Sequence, residues 1–184
     1  MVHPCGADAP FIGCATLAFL TWLKFAVQMQ RQIGLELKVP PMAVAVIAAA
    51  LMWCARSATP DFDFPFHSNL MFPVGLALLG ALTCLAGVVA FRRAKTTVNP
   101  MKPDTTSSLV VSGIYGYTRN PMYLGFLLLL MAWAGALSNV LALGSLLAFV
   151  LYMNRFQILP EERMLASRFS QDYAEYRARV RRWL

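Results

Sequence analysis

The chain has 184 residues, 58% of them hydrophobic and only 14% charged, with a mean hydropathy of +0.55. Soluble domains carry about 25% charged residues, so the composition excludes an ordinary water-soluble domain and points to a polytopic membrane protein. The net charge of +7 comes with no nucleic-acid motif; Lys and Arg beside membrane helices attract anionic lipid headgroups, and no nucleic-acid partner is expected.

Five apolar stretches follow one another at about 10–28, 42–57, 70–91, 122–137 and 139–157. A span needs about 20 apolar residues, within a range of about 17–25, so the second and the last two lean on their flanks. The expectation is an all-α membrane protein of about five transmembrane helices. It forms one domain over 1–184, with N-terminal transmembrane helices in 1–91 and the chemistry in 92–184. The first stretch reads as a span rather than a secretory leader. Residues 1–9 hold no Lys or Arg, whereas a leader's first region is positively charged.

Pro40-Pro41 suits the start of the second helix. The connection Ala58–Asn69 alternates Phe with Asp, which suggests aromatic anchoring at a membrane interface. Gly75, Gly80 and Gly87 stud the third stretch, where small residues let helices approach closely. The long segment Arg92–Arg119 holds Pro100, Pro103 and a Ser/Thr cluster before apolar residues return at Leu109-Val110-Val111. A loop this long in so small a protein is usually functional or disordered, and an ordered, functional loop is expected.

Ser138-Asn139 leave room only for a tight turn. The fourth and fifth helices are therefore expected to form an antiparallel hairpin, with Asn120 and Arg155 at the same end. Pro160 is expected to end the fifth helix near Leu159, because the residue before a proline is biased away from helix. From Glu161 a new helix carries Leu165, Phe169, Tyr173, Tyr176, Val180 and Leu184 at three- and four-residue spacing. Arg163, Arg168, Arg177, Arg179, Arg181 and Arg182 fill the rest of its surface. Such a basic amphipathic helix suits the inner leaflet or a cap on the bundle.

The charges sort by side. Lys24, Arg31, Lys38 and Glu36 give +2, residues 92–119 give +4 and the tail 155–184 gives +3, whereas Asp8 with Arg56, Asp61 and Asp63 gives −2. The positive-inside rule then places the N-terminus outside and the C-terminus in the cytoplasm. Cys5, Cys14, Cys54 and Cys84, with His3 and His67, show no metal or disulfide spacing, and no metal site is expected.

The most informative segment is Gly113–Gly125, GIYGYTRNPMYLG. Asn is a preferred N-cap and Pro a preferred first helical residue, which by itself accounts for Asn120-Pro121. The same helix start exposes backbone N–H groups that favour an anion, so a carboxylate-bearing ligand can dock there. Tyr115 and Tyr123 can stack on a base or anchor at the interface. Glu161 and Glu162 complement a helix dipole, and Arg155 can snorkel from its helix end. The expected hairpin brings Asn120, Arg155 and the Glu pair together, and polar groups gathered at membrane helix ends are a functional-site hypothesis.

From about Phe91 to Leu184 the chain resembles the membrane methyltransferases that include isoprenylcysteine carboxyl methyltransferase and phosphatidylethanolamine N-methyltransferase. The matching pattern runs Leu109-Val110-Val111, Gly113, Tyr115, then Arg119-Asn120-Pro121-Met122-Tyr123 and Gly125. Arg155, Glu161-Glu162-Arg163, Leu165, Phe169, Tyr173, Tyr176 and Val180 follow in order. The resemblance implies an S-adenosylmethionine-dependent enzyme, releasing S-adenosylhomocysteine, with its pocket on the cytoplasmic face of a bacterial inner membrane. Ser108, Leu109, Val110, Val111, Tyr115, Asn120, Pro121, Met122 and Tyr123 would line that pocket, and Glu161 and Glu162 would bind the cofactor's polar groups. Arg155, on the substrate side, and Glu162 are the catalytic candidates. The isoprenylcysteine enzymes typically have His-Pro where this chain has Asn120-Pro121, a form closer to the phospholipid enzymes.

Methyl transfer from a sulfonium is an in-line displacement that needs neither metal nor covalent intermediate. Alignment of the reacting atoms can supply about 7–11 kcal/mol. An amine nucleophile must also lose a proton, which a Glu, a Tyr or water can accept; a thiolate or carboxylate needs no base. The resemblance implies a lipophilic acceptor: a phospholipid amine, an isoprenoid thiol or carboxylate, or something similar. Two other readings stand beside this one, an NADPH-dependent reductase of the sterol-reductase type and a non-catalytic membrane scaffold.

Overall fold

A computed structural model describes residues 36–62, 70–94 and 108–184, all within one compact unit, Gly34–Leu184. The expected first span at 10–28, Lys24 and Arg31, most of the Phe/Asp connection and the Pro100–Thr106 cluster lie outside the described residues. Among the described residues the chain is helical and contains no strand.

Helix α1 is Pro41–Ala58. Pro41 occupies its first turn, where its missing N–H breaks no bond. A short turn, Pro60–Phe62, follows. Helix α2, Met71–Arg93, is mostly apolar and ends on Arg92 and Arg93. After the tight turn Gly113–Gly116, α3 (Pro121–Leu137) and α4 (Val140–Tyr152) follow each other through Ser138 and Asn139. Ser138 adopts a left-handed conformation (φ 51°) and Asn139 caps α4 by accepting the Leu141 N–H at 3.0 Å. The Asn139 amide also donates to the Thr59 carbonyl at 2.8 Å, fixing the connection to the end of α1. Both link residues are fully buried.

Two packing relations position the rest. Against α2, Gly125 of α3 sits so close that a Cβ added to it would lie 2.7 Å from the Gly80 carbonyl oxygen. The two glycines and Cys84 thus allow backbone-to-backbone contact, and Gly87 makes room for Met122 in the same way. On the other side of α3, Tyr123, Leu130 and Leu137 join Ala48 and Met52 of α1 and Ala142 and Phe149 of α4 in the core. The opposite face of α2 presents Leu78, Leu82 and Leu85 outward, a surface suited to acyl chains. By length and apolarity, Pro41–Ala58, Met71–Arg93 and the continuous helical run from Val140 can each cross a membrane, and Pro121–Leu137 is a shorter apolar helix.

The helix does not end near Leu159 as the proline suggests. From Met153 to Ile158 the chain takes one wide π-helical turn, in which the Leu159 N–H bonds to the Asn154 carbonyl five residues back. It then continues directly as α5, Leu159–Arg179. The wide turn re-registers the hydrogen-bond ladder just before Pro160, so the ring, with no N–H to offer, enters the first turn of α5 without breaking the path. The Phe156 carbonyl in this turn accepts the Leu37 N–H at 3.1 Å. The interruptions lie further on. Ser170 has non-helical dihedrals (φ 31°, ψ −98°), and at Val180 the chain turns extended. Val180 still packs with Tyr173 and Tyr176, but Arg181 to Leu184 leave the helix, and Leu184 is exposed.

Candidate active site

The site lies where the start of α3 meets the start of α5. Thr118 is buried at the entrance to α3, and its hydroxyl accepts the Asn120 N–H at 3.2 Å. Asn120 occupies the N-cap position, but its side chain caps nothing; its amide instead donates to the Arg182 carbonyl at 3.0 Å. The expected cap is therefore replaced by a link to the chain terminus, because the returning tail offers a carbonyl that the amide satisfies. Pro121 is buried in the first turn of α3.

One turn into α3, the Tyr123 hydroxyl donates to Glu161 Oε2 at 3.1 Å. Tyr115 is buried nearby, edge-on to Phe91 with ring centroids 5.3 Å apart. Burial, reinforced by the negative charge of Glu161, pushes the Tyr115 hydroxyl's pKa well above that of free tyrosine, so it stays protonated. Its carbonyl accepts the Tyr176 hydroxyl at 2.8 Å. The Tyr115, Tyr123 and Glu161 side chains thus form one patch, with Glu161 acting on both tyrosines.

Glu162 stands in different company. Arg182 grips it with two N–H groups, Nε to Oε1 at 3.1 Å and Nη2 to Oε2 at 2.7 Å. Arg119 Nη1 lies 3.1 Å from the same Oε1 and also donates to the Tyr173 hydroxyl. The carboxylate is nine-tenths buried, as is Arg119, whose Nε has no hydrogen-bond partner. Two guanidinium groups on one carboxylate leave this cluster with an excess positive charge.

Arg155 does not join this cluster. It lies in the π-helical turn, half-exposed, and bonds to Glu36 at 2.7 Å, with Arg163 on the other oxygen of the same carboxylate. The structure therefore brings Asn120 and Glu162 together through Arg182, and Tyr115 and Tyr123 together through Glu161, while Arg155 belongs to a third group. Of the other residues expected to line a pocket, Val110 is buried, Leu109 packs on Tyr173 and Tyr176, Met122 packs against the core, Ser108 is half-buried and Val111 is exposed.

Sequence reasoning missed Thr118, Arg119, Arg182 and Trp183. The last donates its indole N–H to Asn154 Oδ1 at 3.1 Å. Arg119 stood inside the conspicuous Arg-Asn-Pro-Met-Tyr run, but the terminal residues carried no signal beyond their place on an expected helix. Among the described residues no three His, Cys, Asp or Glu side chains gather closely enough to hold a metal.

Long apolar helices define an integral membrane protein, and the buried polar cluster at their ends is its candidate site. The family model for phospholipid methyltransferases matches residues 68–172, so the chain belongs to that family. Two curated relatives are named protein-S-isoprenylcysteine O-methyltransferase. The one from Schizosaccharomyces pombe is 28% identical over 135 residues, which is 72% of this chain and 56% of the relative. The one from Saccharomyces cerevisiae is 30% identical over 126 residues, 65% of this chain and 51% of the relative. The chain thus spans about half the length of these two methyltransferases. An uncharacterised protein of Haemophilus influenzae is 48% identical over 63 residues, covering 34% of this chain and all of the relative. No solved structure matches.

Proposed function

We propose that this protein transfers a methyl group from S-adenosylmethionine to a lipophilic acceptor at the cytoplasmic face of a bacterial inner membrane. The observation that carries the reading is the patch of Tyr115, Tyr123 and Glu161 at the α3–α5 junction, in a chain whose family is that of phospholipid methyltransferases. The residues present fit the cofactor. Glu161 offers a carboxylate to its cationic groups, and Tyr115 and Val110 offer apolar surface to its base. The start of α3, with no side-chain cap, and the unpartnered Arg119 Nε suit its carboxylate. The bound cofactor would supply an electrophilic methyl on a sulfonium. Burial, with the Glu162 charge and against the Tyr123 hydrogen bond, raises the Glu161 pKa to about 7, and a cationic group bound beside it favours the charged form.

In this reading Ser108, Leu109, Val111, Asn120, Pro121 and Met122 complete the walls around that patch. Glu162 contributes once Arg182 moves off it, and Arg155 faces the acceptor. The chain crosses the membrane five times with its N-terminus outside, α3 and α4 form an antiparallel hairpin, and α5 lies on the cytoplasmic surface. The acceptor reaches the site laterally through the bilayer. Glu161, bonded to Tyr123 in that patch, is the carboxylate we assign to a proton leaving an amine acceptor.

The test is methyl transfer itself. Purified protein in liposomes is incubated with methyl-labelled S-adenosylmethionine and three acceptors: phosphatidylethanolamine, an isoprenylated cysteine analogue and a long-chain thiol. Label in one acceptor, lost in Glu161→Ala, is the expected result. No label in any acceptor, or in any component of a total lipid extract, would refute the reading.

A further inference from the structure

The last five residues, Val180–Leu184, form a strap that returns from α5 across the start of α3 to the π-helical turn. The Arg119 N–H donates to the Arg181 carbonyl at 3.0 Å. The Thr118 hydroxyl and the Asn120 amide both donate to the Arg182 carbonyl, at 3.3 and 3.0 Å. Trp183 donates to Asn154 and packs against the core around Met153. Between these anchors the Arg182 side chain takes Glu162 in a two-point grip. The strap therefore engages both Asn120 and Glu162, two of the polar groups that the proposed cofactor site needs.

We infer that Arg182 is an internal competitor of the cofactor: its guanidinium occupies Glu162 in place of a cationic ligand group, so cofactor entry requires the strap to loosen. This inference rests on the methyltransferase reading. Chemically, the occupied carboxylate is suited to an ammonium or sulfonium, and a guanidinium fork on a carboxylate is the strongest intramolecular substitute available. The exchange leaves no buried charge stranded. Arg119 stays on Glu162 throughout, and the displaced Arg182, already more exposed than its partner, moves towards water. Trp183 and the Arg119 N–H anchor the strap on both sides of Arg182, so withdrawing Arg182 from Glu162 loosens the segment between those anchors. A protein whose binding-competent form is a minor population binds with an affinity reduced by that fraction, so a strap closed about nine-tenths of the time weakens binding about tenfold.

The experiment titrates the full-length, detergent-solubilised protein with S-adenosylhomocysteine and S-adenosylmethionine, comparing the unaltered chain with Arg182→Ala and Arg182→Lys. A parallel measurement follows tryptic cleavage within the strap by mass spectrometry, with and without saturating ligand. The inference expects binding about tenfold tighter in Arg182→Ala and an intermediate gain in Arg182→Lys, which keeps the charge but loses the fork. It also expects faster strap cleavage when ligand is bound. The cleavage measurement uses the unaltered chain and stands even where a variant fails to fold. Equal or weaker binding by a folded Arg182→Ala, or strap cleavage slowed or unchanged by ligand, would overturn it while leaving the methyltransferase reading intact. Failure of both the unaltered chain and Arg182→Ala to bind either adenosyl ligand would overturn both.

Discussion

Gly125 lies inside the conspicuous Gly113–Gly125 segment, yet its role is set by α2. A methyl group at this position would meet the Cys84 sulfur, the Gly80 carbonyl oxygen at 2.7 Å and the Cys84 backbone nitrogen at 3.0 Å. The sulfur can rotate away; the two backbone atoms move only with their helix. Restoring an ordinary contact of 3.4 Å to the Gly80 oxygen needs α2 and α3 to part by about 0.7 Å, and a gap of about 0.5–1 Å forfeits a quarter to a half of each contact's attraction. Overpacking a close interface costs about 1–3 kcal/mol, occasionally more. A backbone clash belongs at the upper end, about 2–3 kcal/mol for Gly125→Ala. The gain in helix propensity, about 1 kcal/mol, offsets part of that, leaving about 1–2 kcal/mol of net destabilisation. Gly75 supplies an internal control: it lies in α2 with nothing within 4 Å of an added Cβ, so Gly75→Ala should be neutral or slightly stabilising. The assay is thermal unfolding in one detergent, followed by circular dichroism. Gly125→Ala should melt lower than the unaltered chain and Gly75→Ala should not; equal melting of the two variants would refute the close-approach account of the α2–α3 interface. Because Asn120–Tyr123 ride on the first turn of α3, Gly125→Ala should also weaken ligand binding with no change to any side chain in the site.

Other perturbations separate the groups of the site. Tyr176→Phe removes the hydroxyl that bonds the Tyr115 carbonyl and leaves a buried acceptor unmet, at a cost of about 1–3 kcal/mol; an unchanged melting temperature would show that this bond contributes nothing. Glu161→Gln keeps a partner for Tyr123 but removes the charge, and should weaken S-adenosylmethionine binding more than Tyr123→Phe does; the reverse order would show that the Glu161 charge is not what the cofactor uses. The hydrogen bond from Arg155 comes first in Glu36's environment, and with the Arg163 charge it outweighs the opposing effect of burial, so the Glu36 pKa lies below its ordinary 4.5. A depressed carboxylate contributes stability that is present above the unfolded value and lost as pH falls through the folded one. Glu36→Gln should therefore melt slightly lower at pH 7, by under about 1 kcal/mol for so exposed a pair, with the difference closing below pH 4.5. A difference that does not shrink at all as the pH falls below 4.5 would contradict the pairing.

Much of this architecture was legible residue by residue. Pro41 and Pro121 marked helix starts because a missing N–H is harmless only in a first turn, and both stand there. The helix-to-helix link at Ser138-Asn139 was legible from two short polar residues between apolar runs. Gly75, Gly80 and Gly87 signalled a close helix approach; Gly80 and Gly87 face α3, whereas nothing lies within 4 Å of a Cβ added to Gly75. Pro160 misled because its effect depends on the turn before it. A π-helical turn has no residue signature comparable to a cap, and here it absorbs the proline. Asn120 misled more subtly. It occupies the N-cap position, but a carbonyl brought from Arg182, 62 residues away, competes for its side chain. The Arg182–Glu162 pair was hidden for the same reason. Helical periodicity through Leu184 placed Arg182 on an outer face, whereas the chain turns extended at Val180 and folds back. Local pattern carried the helices; the site's partners came from a fold-back that periodicity does not encode.

Calorimetric titration of the folded, detergent-solubilised protein with S-adenosylmethionine, S-adenosylhomocysteine and NADPH tests the central claim most directly. Saturable binding of the two adenosyl ligands, with none of NADPH and a loss in Glu161→Ala, is the predicted result. Binding of NADPH alone, or of none of the three by a protein that still melts cooperatively, would contradict it.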